Sequence, residues 1–311
     1  MYNKMRQNVN GKDAIVVTNL GKYNLADTLE CGQCFRYERV EGVNNGTEYI
    51  IVVKNVLINV GQYNEGELVF YNITDEDFAS VAAPFFALDK DLDEIKRDII
   101  SRTDSEWLKE AAEAGVGIAI LKQDPWEALF SFIVSQNNNI PRIRKIIKSI
   151  CSEYGVNLSL QKQCILGKCA TPCEENCKNC GVCYTFPTPT DIVENPDGLL
   201  PSKPGFRFKY LLDAANRVKL NEINLEEIER KSSYDYTLEQ LKKIKGVGDK
   251  VASCAALFGF GNLEAFPIDV WMKRAIDVYF DGVLDPTSLG KYAGVAQQYI
   301  FNYIRNTEAD K

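Results

Sequence analysis

The 311-residue chain contains no histidine, and only three tryptophans and three methionines. Without imidazole, any general acid, general base or metal ligand must come from Asp, Glu, Lys, Tyr or Cys, which removes the commonest catalytic schemes. No apolar run approaches the ~20 residues that a membrane span requires. The opening stretch "MYNKMRQNVNGKD" also lacks the charged-then-apolar build of a secretory signal. The expected setting is therefore intracellular, with no membrane partner. A surplus of basic charge is missing too, since 36 Lys and Arg face 43 Asp and Glu for a net charge of -7. That excludes a surface coated in positive charge but leaves room for a local patch, which is all a polyanion needs. Acid gathers in "YNITDEDF", "LDKDLDEIKRD" and "NEINLEEIERK", base in "PRIRKIIK" and "LKKIKGVGDK".

Length and the 45% hydrophobic content fit a soluble protein of two or three domains. From Ala14 to Ile73 the runs "AIVV", "CFRYERV", "EYIIVVK", "VLINVGQY" and "ELVFYNI" are rich in Val, Ile, Tyr and Phe. Turn signals at Asn45-Gly46, Lys54-Asn55 and Asn64-Glu65-Gly66 punctuate them. This pattern predicts an antiparallel sheet. After Thr74 the period is helical, with Asp124-Pro125 a good cap and first-turn pair, a helix restarting near Pro141, and no further strand expected. The fold expected is α+β: an N-terminal antiparallel sheet domain over residues 1–115, then a helical region over 116–311.

Six of the ten cysteines fall between Cys164 and Cys183. They sit in an insert, residues 161–186, that is poor in core side chains. Without a signal peptide such a cluster reads as a metal site before a disulfide framework. Cys177, Cys180 and Cys183 form a CxxCxxC run suited to Zn²⁺ or an Fe-S cluster, with Cys173 the fourth ligand and Cys164 and Cys169 as alternatives. Disulfides or a redox-sensitive flap are the other reading.

"LEQLKKIKGVGDKVASCAALFGF" reads as helix, tight turn, helix. Gly246 and Gly248 permit positive φ and let backbone approach a ligand, and Asp249 is expected to cap the second helix, whose first N–H groups can bind phosphate. Lys250 falls in the first turn, where the helix dipole disfavours an ammonium and favours the nucleophilic amine. A phosphate-binding or merely solvated lysine is the plainer alternative. Downstream, "AFPIDVWMKR" puts Asp269 two residues past Pro267, as a helix N-cap that can also stabilise positive charge on a sugar.

"GVGDKVASC", "PIDVWM", "QDPWEALFSFIVSQNNNIPRI", "GQCFR" and "YAGVAQQYIF" together resemble the 8-oxoguanine DNA glycosylase branch of the helix-hairpin-helix glycosylases. The likeness runs in the same order along the chain from about Ala14 to about Arg305, the cysteine insert excepted. It implies a bifunctional glycosylase and abasic-site lyase acting on 8-oxoguanine in duplex DNA, preferably opposite cytosine, as a cytoplasmic monomer without a catalytic cofactor. Lys250 matches the nucleophile and Asp269 its supporting carboxylate. Gly32 matches the carbonyl that accepts the N7–H of the damaged base, Cys254 and Phe301 the residues that sandwich it, and Gln297 the one that reads its edge. Cys254 and Phe301 read from the residues alone as helical core. Asn137, Arg142 and Arg207 match residues around the orphaned cytosine, and Phe206 the intercalating aromatic, more often Tyr in the family. Gly246 and Gly248 match the DNA-gripping hairpin. Two departures are Trp271, where animal relatives carry a phosphate-contacting histidine, and Lys245, where proline is usual. The rivals are a non-catalytic DNA-binding module, a monofunctional alkyl-base glycosylase and a metal or redox sensor built on the insert.

Overall fold

Six strands form one antiparallel sheet in the computed structural model, which describes residues 2–158 and 183–308. They are β1 (Asn3–Val9), β2 (Lys12–Thr18), β3 (Tyr37–Arg39), β4 (Thr47–Val53), β5 (Val56–Gln62) and β6 (Leu68–Tyr71), in the order β1-β2-β6-β5-β4-β3. Alternation sends Ile15, Val17, Tyr49, Ile51, Val53, Ile58, Val60, Leu68 and Phe70 into the main core. Ala14, Val16, Val69 and Tyr71 form a smaller cluster on the other face. The five strands read from the sequence are present, and Asn45, Lys54 and Gly66 take the positive φ their turns require.

Strand β1 was not anticipated. Six of its seven residues are exposed, so it has no buried face to reveal it. The usable signal was Asn10-Gly11, where φ of 53° and 78° closes a two-residue hairpin between Val9 and Lys12. Lys4 and Arg6 also tie the strand to Asp75 at 2.6 and 3.1 Å.

Helix α1 (Leu25–Glu30) lies between β2 and β3, capped by the Asn24 side chain. Beyond Thr74 the chain is helical. Short helices α2 (Asp75–Asp77) and α3 (Ala83–Phe85) flank a π-helical turn, followed by α4 (Leu92–Ser101), α5 (Glu106–Ala114), α6 (Pro125–Val134) and α7 (Ile140–Tyr154). After the insert come α8 (Pro189–Glu194), α9 (Phe208–Lys219), α10 (Leu225–Lys231), α11 (Tyr234–Leu241), α12 (Asp249–Phe258), α13 (Val270–Tyr279) and α14 (Ala293–Glu308). Asp124 caps α6 with Pro125 in its first turn, as expected, and Asn139 caps α7 by accepting from the Arg142 N–H at 3.0 Å. Among the described residues no helix is long and apolar enough to cross a membrane.

Helices α6 and α12 are buried nearly all round, which marks them as the centre of the core. They run in opposite senses, the end of α12 against the start of α6. A Cβ on Gly259 would lie 2.9 Å from that of Ala128, so the approach depends on small residues. Phe132 stacks on Phe258 with centroids 5.3 Å apart. Two buried polar side chains between α1 and β3 tie that segment to the chain leading into α6 and to α6 itself. Gln33 donates to the carbonyls of Thr28 and Ala119 at 2.8 Å and accepts from the Leu121 N–H. Arg36 bonds Glu127 of α6 at 2.6 Å, donates to the Tyr184 carbonyl, and lies over the Phe186 ring.

Tyr184 belongs to the neck of the cysteine insert, where the Leu158 N–H meets the Cys183 carbonyl at 2.8 Å and the Thr185 N–H meets Val156 at 3.0 Å. Cys183 is buried there. The other proposed ligands, Cys164, Cys169, Cys173, Cys177 and Cys180, lie outside the described residues. Among the described residues no three His, Cys, Asp or Glu side chains are grouped to hold a metal.

Replacing Glu127 by Ala leaves the Arg36 guanidinium, 4% exposed, without its counter-charge. We expect a loss of about 3–5 kcal/mol in urea unfolding, much of it recovered in the double variant Arg36→Met/Glu127→Leu.

Candidate active site

The hairpin joins α11 to α12 through Lys242–Gly248. Gly246 has φ +79°, and a Cβ there would sit 2.5 Å from the Tyr210 ring. Gly248 differs from expectation: its φ of -99° is open to any residue, and it, not Asp249, is the N-cap of α12. Asp249 is the first helical residue, and its carboxylate is drawn outward to Lys242 at 2.6 Å instead of folding back on the helix N–H groups. No atom lies within 4 Å of where a Gly248 Cβ would be, so this backbone is open to a ligand. The hairpin is braced by Asp213, which accepts from the Lys245 N–H at 2.8 Å, and by Gln136, which donates to the Gly246 carbonyl at 3.1 Å.

Lys250 follows in the first turn of α12. Its Nζ donates to Ser135 Oγ at 3.1 Å and lies 5.5 Å from the centroid of Phe132. Asp269 caps α13 by accepting from the Met272 N–H at 2.8 Å, as its place after Pro267 predicts. Both side chains line two spaces at once. One is a narrow pocket of about 50 Å³ formed with Cys31, Gly32, Phe132, Cys254, Gln297 and Phe301. The other is a wide groove of about 1070 Å³ lined by Asn137, Gly246, Gly248 and Trp271.

Burial pushes the Cys254 thiol up; the neighbouring Lys250 opposes this and Asp269 adds to it. Gly32 has φ +84°, and a Cβ on it would meet Ile140 at 3.1 Å and the Phe301 ring at 3.5 Å. Gln297 is buried and accepts from the Gln298 amide at 2.8 Å. Four other stretches of chain, around residues 32, 132, 269 and 300, therefore line the pocket with the helix that carries the amine.

Residues 15–129 match the family model for the 8-oxoguanine DNA glycosylase N-terminal domain. The chain is 34% identical to MBOgg1, solved in complex with a low-affinity DNA ligand, with 99% of each chain covered and a TM-score of 0.81. The chain belongs to the 8-oxoguanine DNA glycosylase family. It is also 33% identical to the Clostridium acetobutylicum 8-oxoguanine glycosylase/lyase, solved with double-stranded DNA containing cytosine opposite 8-oxoguanine. There, 99% of this chain and 98% of that one are covered, with a TM-score of 0.81. A Saccharomyces cerevisiae N-glycosylase/DNA lyase is 29% identical over 292 residues, 85% of this chain and 69% of that protein.

All six residues matched to the family's catalytic and base-binding positions thus line the narrow pocket. The DNA-binding set is more dispersed. Asn137 is exposed with φ +47° on the loop before α7, Arg142 is exposed in the first turn of α7, and Phe206 is 46% exposed. Arg207 is unlike these. It is 4% exposed, and its guanidinium makes four bonds, two to the Gln136 carbonyl and one each to those of Asn137 and Pro204. Burial and the nearby Arg142 lower its pKa, so two like charges converge at this edge of the groove. In this conformation Arg207 shapes the loop that carries Asn137.

Sequence reasoning passed over Ser135 and Gln136, although each holds a member of the site. Their partners lie 115 and 110 residues away. No local spacing encodes such pairs.

Gly246→Ala should destabilise the protein by about 1 kcal/mol or more, because φ +79° and the Tyr210 ring both oppose a Cβ. It should weaken binding to undamaged duplex as well. Thermal unfolding and fluorescence anisotropy would check the two effects.

Proposed function

We propose that the chain removes 8-oxoguanine from duplex DNA and then cleaves the strand at the resulting abasic site. The observation that carries this reading is the position of Lys250 and Asp269 at the boundary of the narrow pocket and the wide groove. A base stacked in a duplex cannot reach a side chain inside a pocket, so the nucleotide has to be flipped out. The groove suits the strand and the pocket suits the base, and the bond between sugar and base then falls where the two meet.

In the chemistry proposed, the neutral amine of Lys250 attacks C1′ as the glycosidic bond breaks, and the base departs with the bonding pair. The sugar opens to a Schiff base, and loss of the C2′ proton expels the 3′ phosphate by β-elimination. The Asp269 carboxylate stabilises positive charge on the sugar while the base leaves. The Gly32 carbonyl accepts the N7–H that the oxidised base has and guanine lacks, so guanine would leave that acceptor facing a lone pair. Cys254 and Phe301 would hold the base between them. Gln297 would exchange its bond from Gln298 for one to the base edge. Because about 50 Å³ is room for a water or two rather than a purine, base entry requires a side chain to move.

Asn137, Arg142 and Arg207 are assigned to the vacated space and the orphaned cytosine, Phe206 to intercalation, and Gly246, Gly248 and Trp271 to the backbone of the lesion strand. The Clostridium acetobutylicum relative, solved with cytosine opposite the lesion, supports that choice of partner. We assign the working form as a monomer. No step draws on a cofactor, so a Zn²⁺ or Fe-S centre on Cys173, Cys177, Cys180 and Cys183 is a separate proposal about the insert, testable by metal analysis.

Borohydride should trap a covalent adduct between the native protein and a duplex carrying 8-oxoguanine opposite cytosine, and no adduct with Lys250→Gln. Native protein that binds without trapping or cleavage would return Lys250 to phosphate binding. Asp269→Asn separates the two roles of that residue. Its amide oxygen can still cap α13, so melting should stay near native while base release falls by about a hundredfold. Asp269→Ala should lose the cap as well, at about 1 kcal/mol.

A further inference from the structure

Ser135 is the C-cap residue of α6 and borders the wide groove. Its hydroxyl donates to the Phe132 carbonyl at 2.8 Å. A hydroxyl has one proton, so with that proton committed the oxygen faces Lys250 Nζ, 3.1 Å away, only as an acceptor. We propose that Ser135 is a positioning residue that orients the Lys250 amine for attack. This rests on Lys250 being the nucleophile.

A lysine amine rides on a flexible four-carbon stem, and a neutral amine has two N–H groups and one lone pair. Anchoring one N–H on Ser135 removes most of its rotational freedom. The Phe132 ring occupies another approach, 5.5 Å from the nitrogen to the centroid. The directions that remain include the pocket lined by Cys254, Gln297 and Asp269. Orientation of this kind accelerates the step without strengthening DNA binding.

The anchor itself is fixed. Immediately after Ser135, Gln136 has its carbonyl held by Arg207 and its side-chain amide bonded to the Gly246 carbonyl. The Ser135 N–H bonds Ser131 and Ile133 within the helix end. None of these bonds uses the Ser135 hydroxyl, so removing the hydroxyl leaves the backbone support intact.

The test compares native protein, Ser135→Ala and Ser135→Thr on a duplex with 8-oxoguanine opposite cytosine. Single-turnover base release and borohydride-trapped adduct are measured beside the Kd for the same duplex carrying an uncleavable abasic analogue. In Ser135→Ala both rates should fall by about tenfold, with Kd and melting temperature unchanged, and Ser135→Thr should recover most of the loss. Native rates in Ser135→Ala, a loss that only tracks weaker binding or lower melting, or no recovery in Ser135→Thr would each overturn the role of Ser135. A native protein that traps no adduct would overturn the reading of Lys250 instead, which separates the two failures.

Discussion

The ring of Phe132 and the hydroxyl of Ser135, three residues apart at the end of α6, hold the Lys250 amine at 5.5 and 3.1 Å. That grip has value only because α12, which carries Lys250, cannot shift. Every residue of α12 from Val251 to Phe258 is buried, and its far end presses Gly259 against Ala128 at the start of α6. A helix with no exposed face has no direction in which to slide without opening voids, and close-packed interiors resist that. Core packing therefore fixes the backbone that carries Lys250, and the hydrogen bond to Ser135 orients the amine at the end of its flexible stem. The groove around it can carry polar and charged residues, some of which, such as Asp269 at the start of α13 and Gln136 at the hairpin, also hold local structure.

The same division explains why a chain with no histidine can be proposed for acid-base chemistry on a sugar. An amine that attacks and then leaves through a Schiff base does its own proton transfers in stages, with a carboxylate beside it and solvent at the groove. A net charge of -7 is compatible with a polyanion partner: Lys250 and Lys273 line the groove beside Asp249 and Asp269, and the exposed Arg142 and Lys245 add basic charge around it. Local sign, not total charge, decides the encounter.

Much of the sheet, and the caps and turns beside the candidate site, were legible because they are written in local chemistry, whereas Gly32, Cys254, Gln297 and Phe301 were reached only through the family resemblance. Lys54-Asn55, Asp124-Pro125 and Pro267-x-Asp269 each demand a turn or cap from side chains within a few residues, and each is found as read. Strand β1 was illegible to hydrophobic periodicity because an exposed edge strand needs no apolar face, though Asn10-Gly11 had announced its turn. The cap of α12 was misassigned to Asp249 because the sequence does not reveal that Lys242 draws its carboxylate away. Arg207 was matched by resemblance to a cytosine-reading position, and nothing near it in sequence indicates that carbonyls some seventy residues earlier hold it in this structure. For Asp249 and Arg207 alike, the sequence leaves out a partner that only the tertiary fold supplies.

Arg207 makes the consequence concrete. Its bonds to the Gln136 and Asn137 carbonyls help to hold a left-handed Asn137 at the edge of the groove. Gln136 also reaches the hairpin at Gly246, and Ser135 beside it reaches Lys250. Three consecutive residues thus touch the arginine assigned to the opposite strand, the glycine assigned to the lesion-strand backbone and the proposed nucleophile. A guanidinium that leaves these carbonyls to meet a cytosine must give up charge-assisted bonds and leave the carbonyls to water. It can do so at little net cost only when the incoming base returns equivalent acceptors. Any preference for cytosine would then arise from what Arg207 relinquishes as much as from what it gains.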